Sequence, residues 1–367
     1  MMMAHVLRRS GALLSYCHKS TRALSTLLTS MEQDRDVTPE LLHPSAMTNG
    51  TIPAPKSLSP SAISEFKNCP QSYLFQYLWG IRQPTSLVLA KGSMCHEALE
   101  KLFDLAPEER SLETLQNLFR VSWSKVRNND TYRILFGSQE GKWDTEGERT
   151  WGKSGLALLE NYYQLEDPTQ ICRPNPVQRE IWVRSDLALD SSLGVTATTK
   201  PTPPDAPCFH VRGIIDRIDM YKSPDDGRTA LRIVDYKTGK APNLKYSPTM
   251  NEKIVTQAFY QLKIYALLLR EKNVDKLKGL DLRMLRLLFL TSEDGPGQYL
   301  DMDMGATQDQ RDVLLNEIHA DVAEVWTNIN ALVTMQDPKA FVGCDRSFCY
   351  CHTCRPRFMP NTLWEPN

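Results

Sequence analysis

Two apolar runs decide the fold of this chain: residues 211–219, VRGIIDRID, and residues 231–239, LRIVDYKTG. Valine and isoleucine are frequent in both runs, as is typical of buried strands. Between them, residues 223–227 (SPDDG) combine a proline with an Asp-Gly step, a composition that predicts a tight reversal. We therefore expect a hairpin that places Asp216, Asp235 and Lys237 at neighbouring points of one sheet.

Those three side chains form a chemically coherent set. Two carboxylates are hard oxygen ligands suited to Mg²⁺, which keeps water in its remaining positions. A lysine beside them can orient a water molecule or offset charge on a phosphate. These two carboxylates and one lysine are the minimum set of functional groups for hydrolysing a phosphodiester bond. An Asp-x-Lys sequence after an apolar run is common by itself, however, so the interpretation depends on the rest of the chain.

Apolar periodicity places helices before and after this hairpin. Helices are predicted over residues 92–105, 112–126, 148–164, 252–271 and 308–335. Further strands are predicted over residues 178–184 and 283–291. This order predicts an α/β fold with a central mixed β-sheet flanked by helices, an N-terminal helical part and a cysteine-rich C-terminal tail.

Composition restricts the class of protein. The chain has 367 residues and a formal net charge of −1, which excludes a uniformly basic nucleic-acid binder of the histone kind. Any affinity for phosphate must therefore be local. The sequence contains no continuous apolar run of the length needed to cross a bilayer, so no membrane association is expected.

The first residues differ from the rest of the chain. Residues 1–31 carry four basic residues, many serines and threonines, and no acidic residue. This composition predicts an organellar transit peptide, mitochondrial or alternatively plastid, although a disordered tail is the simpler alternative. Residues 32–56, with four prolines, are predicted to be a disordered linker. A proline-rich surface insertion is predicted near residues 190–207, and residues 357–367 form a short tail.

Four motifs together resemble those of the RecB-type PD-(D/E)XK nucleases. Residues 213–217 (GIIDR) resemble the first metal-ligand motif of that family, and residues 235–239 (DYKTG) resemble the second. Residues 261–265 (QLKIY) resemble its Gln-x-x-x-Tyr helix, and residues 92–96 (GSMCH) resemble its N-terminal histidine motif. Their order and approximate spacing also match. The resemblance covers residues 57–356 and implies a restriction-endonuclease-like core.

The resemblance implies a divalent metal site for Mg²⁺ or Mn²⁺. Asp216 and Asp235 would bind the metal, and the carbonyl of Tyr236 would be a further ligand. His96 would be an additional ligand or a near neighbour of the metal. The alternative for His96 is a histidine with satisfied hydrogen bonds in the core.

The remaining roles concern the attacking water and its support. Lys237 would orient that water or stabilise the transition state, while Gln261 and Tyr265 would hold Lys237 or the scissile strand. Simple helix-to-sheet packing is an equally good explanation for Tyr265. Glu180 is a candidate for an indirect supporting role. Asp219 is left out of the site, because strand alternation places it on the face opposite Asp216.

Cysteines mark both ends of the predicted domain. Some relatives, among them the exonuclease V group, join their N-terminal helices to the C-terminus through a [4Fe–4S] cluster held by one upstream and three tail cysteines. Cys69 matches the upstream position. The tail cysteines, within residues 344–354, are separated by gaps of four, one and two residues, which departs from the usual Cys-x₂-Cys-x₅-Cys spacing. The candidate cluster ligands are Cys69, Cys344, Cys349, Cys351 and Cys354.

Two alternatives for these cysteines stay open. A small zinc site could be built from Cys349, Cys351, His352 and Cys354, because thiolates and imidazole suit zinc. The residues could also be ordinary thiols. If the cluster forms, one tail cysteine is surplus.

The functional prediction is a metal-dependent nuclease that hydrolyses DNA. The finer expectation is an exonuclease with a preference for single strands that acts in organellar DNA maintenance or repair. A helicase or a single-strand-binding protein would be its partner. The alternatives are a catalytically inactive nucleic-acid-binding module of the same fold, an RNA-processing nuclease, and a structural metal protein.

Overall fold

The computed structural model describes residues 51–81, 83–137, 141–173, 181–189, 207–272, 280–291, 295–352 and 354. The predicted transit peptide, most of the linker, Glu180, nearly all of the predicted insertion and the tail at 357–367 lie outside the described residues.

Three short helical elements open the described chain, and the first two begin with proline. Helix α1, Pro60–Asn68, begins after Ser59, whose Oγ accepts a hydrogen bond from the amide of Ala62 at 3.2 Å. Proline at the first helical position suits this start, because it has no amide hydrogen to leave unpaired. Helix α2, Pro70–Tyr73, begins directly after Cys69 and continues into a π-helical turn, Leu74–Leu78.

Four α-helices follow among the described residues. They are α3 (Leu87–Leu102), α4 (Leu112–Val126), α5 (Asp130–Arg133) and α6 (Thr145–Leu165). Of these, α3 and α6 pack directly on the sheet. Helices α4 and α6 approach closely at Gly155, where an added Cβ would lie 2.4 Å from Cζ of Phe119. Their buried side chains form one core cluster with Val234, Tyr236 and Leu288 of the sheet.

Six strands form the β-structure of the described residues. They are β1 (Ile181–Ala188), β2 (Cys208–Ile215), β3 (Arg217–Lys222), β4 (Thr229–Lys240), β5 (Leu282–Thr291) and β6 (Gln298–Asp303). β1 and β2 form an antiparallel pair, and the other four form a sheet in the order β3-β4-β5-β6. β4 and β5 run parallel, whereas β3–β4 and β5–β6 are antiparallel. The sheet is mixed and flanked by helices, so the predicted fold class is confirmed.

The hairpin predicted from the sequence is present. β3 and β4 pair in antiparallel register around the turn at residues 223–228, and Gly227 adopts a φ of +68° there. Asp216 lies at a bend between β2 and β3. Ile215 and Ile218 both enter the same core although they are three residues apart, so the alternation of faces is interrupted at Asp216.

Three further α-helices lie in the described part of the chain: α7 (Pro248–Ala258), α8 (Tyr260–Lys272) and α9 (Gln308–Met335). The single helix predicted over residues 252–271 is two helices, because the chain leaves helical geometry at Phe259, which has φ −84° and ψ 0°. The prediction for α9 agrees with the structure. α1, α8 and α9 contribute to a second core cluster with β1, β2 and the sheet. No helix among the described residues is both long enough and apolar enough to span a membrane.

Candidate active site

The two carboxylates of the predicted set meet across the β3–β4 hairpin. Asp216 Oδ2 accepts a hydrogen bond of 2.9 Å from the backbone amide of Tyr236. Asp235 precedes Tyr236 within β4, and its side chain is only 4% exposed, compared with 14% for Asp216. The bend at Asp216 therefore anchors one carboxylate beside the other where β2 passes into β3.

His96 reaches this pair from α3. Its Nδ1 lies 3.3 Å from Asp216 Oδ2, and its ring meets the Tyr236 ring edge-on at 5.9 Å between centroids. Gly92, one turn earlier, permits the close approach of α3 to β4, since an added Cβ would lie 3.3 Å from Thr238 Oγ1. Burial lowers the pKa of His96, but the hydrogen bond and the charge of Asp216 outweigh burial and raise that pKa above its ordinary value.

A chain of polar contacts fixes Lys237. Its Nζ lies 2.6 Å from Asp235 Oδ2 and donates a hydrogen bond of 3.0 Å to Gln261 Oε1. Gln261 Nε2 in turn donates to Tyr265 Oη at 2.7 Å. Tyr265 packs over Gly213, where an added Cβ would lie 2.5 Å from Tyr265 Cε1. The Gln-x-x-x-Tyr helix therefore holds the ammonium group from α8 through two side chains one turn apart.

Asp235 has the most unusual environment of the set. Burial, together with the charge of Asp216, raises the pKa of its carboxyl group to about 6. Its Oδ2 is buried without an aligned hydrogen-bond donor, although the Lys237 ammonium is close. A buried carboxylate oxygen with no aligned donor, next to a second carboxylate and an imidazole, has the donor chemistry of a divalent-cation site. The residues present therefore fit such an ion.

A buried ionic network that the sequence interpretation missed lies behind the site. Arg217 is 1% exposed and contacts Glu166 at 2.5 Å, Asp219 at 2.8 Å and Tyr236 Oη at 2.7 Å. Asp219 also accepts a hydrogen bond of 3.0 Å from Arg232, so both of its carboxylate oxygens contact arginine side chains. The spacing of Arg217 and Asp219, two residues apart on β3, was the signal for a pair that the sequence offered. Glu166 lies on a distant segment, so its contact with Arg217 could not be read from the sequence.

The sequence is similar to those of known proteins. A family model described as the PD-(D/E)XK nuclease superfamily matches residues 57–357. The chain belongs to this superfamily. The resemblance to RecB-type nucleases inferred from the motifs is thereby confirmed.

Curated relatives of the nuclease share one description, that of one component of an ATP-dependent helicase/deoxyribonuclease. The relative from Clostridium perfringens strain SM101 is 29% identical over 195 residues, which cover 50% of this chain and 15% of the relative. The relative from Streptococcus mutans is 24% identical over 193 residues, which cover 52% of this chain and 14% of the relative. The chain thus matches only about a seventh of the length of these relatives.

A second cluster of candidate ligands in the nuclease joins its N-terminal helices to the C-terminal segment. The Sγ atoms of Cys69, Cys344, Cys349 and Cys351 all lie within 4.8 Å of one another. Cys69 Sγ accepts hydrogen bonds of 3.4 Å from the backbone amides of Ser72 and Cys344. Four convergent thiols are a soft donor set that fits zinc or an iron–sulfur cluster. We call these four cysteines the cysteine group.

The structure separates the tail cysteines. Cys354 is buried but is not part of the cysteine group. The alternative zinc set with His352 and Cys354 is not assembled among the described residues, and His352 Nε2 instead lies 2.8 Å from the carbonyl of Cys344. A hydrogen bond from Arg346 lowers the pKa of Cys344 to about 6, which favours the thiolate that a metal requires.

Proposed function

We propose that this protein is a metal-dependent nuclease that hydrolyses phosphodiester bonds in DNA. One observation carries the proposal: His96, Asp216, Asp235 and Lys237 converge at the hairpin, and the buried Oδ2 of Asp235 has no aligned donor. The relatives are components of a deoxyribonuclease, which supports DNA as the substrate.

Asp216, Asp235 and His96 would hold Mg²⁺ or Mn²⁺, with the carbonyl of Tyr236 as a further candidate ligand. The ion would supply Lewis-acid stabilisation of the charge that develops on the phosphate. The hydrogen bond from the Tyr236 amide fixes the orientation of Asp216, which leaves its other oxygen for the ion. Glu180 keeps its proposed supporting role and lies outside the described residues.

Lys237 has a separate task in this proposal. A lysine ammonium carries only donors, so in this form it donates to the attacking water or to a phosphate oxygen and does not accept a proton. Asp235 and Gln261 hold its Nζ from two sides, which limits the positions that the ammonium can occupy. Gln261 and Tyr265 are thus positioning residues, because they act through Lys237.

The finer proposal is an exonuclease with a preference for single strands, active in mitochondrial DNA maintenance or repair. The composition of residues 1–31 supports the compartment, and the motif resemblance to the exonuclease V group supports the mode of cleavage. The combined description of the relatives as helicase and deoxyribonuclease supports a helicase or a single-strand-binding protein as a partner.

For the cysteine group we propose a [4Fe–4S] cluster, with structural zinc as the alternative. The support is the set of four thiols, which includes Cys69 from the N-terminal helices and three cysteines from the tail. Anaerobic purification followed by visible absorption and metal analysis tests this proposal. A colourless sample that contains zinc would reject the cluster.

The nuclease proposal is tested with end-labelled single- and double-stranded DNA and RNA, free or blocked at either end, in the presence of Mg²⁺ or Mn²⁺. We expect cleavage from free ends of single-stranded DNA by the wild type and a loss of at least about 10³-fold in Asp235→Asn. Asp309→Asn, which alters an exposed aspartate in the first turn of α9, is the matched control and should cleave normally. Binding without cleavage by the wild type would identify an inactive module, and preferential cleavage of RNA would identify an RNA-processing enzyme.

A further inference from the structure

The outward face of the β1–β2 pair carries side chains that the nuclease site does not use. The antiparallel register places Trp182 opposite Ile214 and Arg184 opposite Arg212. Trp182 is 58% exposed, and Arg184 is exposed as well. We call these four residues the outer strip.

The arginine pair of the outer strip is energetically unusual. Like charges directly opposite each other on antiparallel strands destabilise the pair. Within the described part of the chain, neither guanidinium group forms an ion pair. The next acidic residue on this face, Asp186, is already paired with His210 directly across from it. Among the described residues, these two adjacent cations therefore have no acidic partner. An anionic ligand would neutralise their charge.

The outer strip leads towards the metal-binding carboxylates. Along β2, Val211, Gly213 and Ile215 face the core, so Arg212 and Ile214 lie on the opposite face. Ile214 precedes Asp216 by two residues. Because a strand advances about 3.3 Å per residue, the Trp182–Ile214 pair lies about 7 Å, and the arginine pair about 13 Å, along the strand from Asp216.

We propose that the outer strip binds single-stranded nucleic acid and guides it into the nuclease site. A base would stack on the Trp182 ring, while Arg184 and Arg212 would contact phosphates of the same strand. Only a single strand presents unstacked base faces, and an exposed aromatic ring beside cations suits this ligand. This inference rests on the proposed function, because it assumes that the substrate is a nucleic acid.

The first test measures binding without cleavage. Fluorescence anisotropy with a labelled oligothymidylate in EDTA would compare the wild type with Trp182→Ala and Trp182→Phe. We expect Trp182→Ala to weaken binding about 5- to 100-fold and Trp182→Phe to retain most of the affinity, because the stacking ring remains. Tyr299→Ala is the control, since Tyr299 is also a large exposed aromatic residue (46%) but lies on β6.

The second test uses the repulsion between the arginines. Arg184→Gln should leave the melting temperature unchanged or slightly higher, because it removes a like-charge contact. The same variant should weaken binding of the oligothymidylate and reduce the slope of log affinity against log salt concentration by about one. Arg120→Gln, on the exposed surface of α4, should change neither quantity. A purely structural role for Arg184 would instead lower the melting temperature.

The outcomes separate this inference from the proposed function. If the wild type neither binds nor cleaves nucleic acid, the proposed function fails. If the wild type binds and cleaves, but Trp182→Ala and Arg184→Gln bind with unchanged affinity and salt slope, the outer strip is not the nucleic-acid surface and the nuclease assignment stands. Equal losses for hairpin duplex and oligothymidylate in Trp182→Ala would overturn the assignment to single strands.

Discussion

The hairpin site and the cysteine group are two candidate metal sites that differ in how the fold builds them. The hairpin site combines oxygen and nitrogen donors on a bend, a central strand and helix α3, and each donor is anchored by packing or hydrogen bonds. The cysteine group collects soft thiols from remote segments, since Cys69 and Cys344 are 275 residues apart in the chain. The first site is built into the core of the sheet, whereas the second connects the N-terminal helices to the C-terminal segment.

We therefore expect the hairpin site to affect mainly the reaction and the cysteine group to affect mainly the stability of the fold. Loss of an ion from the hairpin site should impair the reaction but leave the hairpin folded, because strand pairing and the packed core around Tyr236 hold β3 and β4 together. Loss of the group bound by the cysteines should release a connection between distant segments and therefore reduce stability. Four experiments test this contrast, and the one with the largest expected effect comes first.

Removal of the divalent ion should have the largest effect. EDTA should abolish cleavage, and Mg²⁺ or Mn²⁺ should restore it, while circular dichroism remains unchanged. An ion that binds the folded state also stabilises it, so added Mg²⁺ should raise the melting temperature of the wild type. That increase should be absent in Asp235→Asn. Cleavage that resists EDTA would contradict the proposed metal site.

Loss of the Lys237 ammonium group should have the next largest effect. Lys237→Ala should lower kcat about 10²- to 10³-fold, because a positioned donor to the reacting phosphate is removed. Single-turnover cleavage measures this loss, and the melting temperature should change little, since the side chain is one-third exposed. Lys222→Ala, at the exposed end of β3, is the matched control. A kcat equal to that of the wild type would remove Lys237 from the reaction.

The cysteine group should show the opposite signature. Cys69→Ser should lower the melting temperature by on the order of 5 °C and reduce the content of bound metal, while residual kcat per folded molecule falls much less than in Lys237→Ala. Cys208→Ser should behave as the wild type, because Cys208 is exposed and outside the cysteine group. An unchanged melting temperature in Cys69→Ser would show that the cysteine group does not connect the two segments.

The smallest effect is expected from disturbing Tyr265 and Gln261, which hold Lys237 in place. Gly213→Ala should lower the free energy of unfolding by about 1–3 kcal/mol, because the added methyl group would overlap the Tyr265 ring. The displaced ring should also loosen the contact of Gln261 with Lys237 and reduce kcat. Gly152→Ala, where an added Cβ meets nothing within 4 Å, should not destabilise the protein. Urea unfolding curves and kcat for both variants check this prediction.

Local signals were sufficient for much of the fold. The SPDDG turn predicted the β3–β4 hairpin, and regular apolar periodicity predicted α4 and α9 with their observed bounds. Strand β6 was missed because its burial alternates only between intermediate and exposed positions, which gives a weak pattern. The break at Phe259 was missed because α7 and α8 share one continuous periodicity in sequence.

For the candidate site, too, some features could be predicted from the sequence and others could not. Its residue types, their order and the motif resemblance were all present in the sequence, because hard ligands, a lysine and clustered thiols are defined by side-chain chemistry. Tertiary structure decided which of them meet: it placed His96 beside Asp216, paired Arg217 with Glu166, and put Cys354 outside the cysteine group. Distances between remote segments arise from packing of the whole core, so no local pattern contains them.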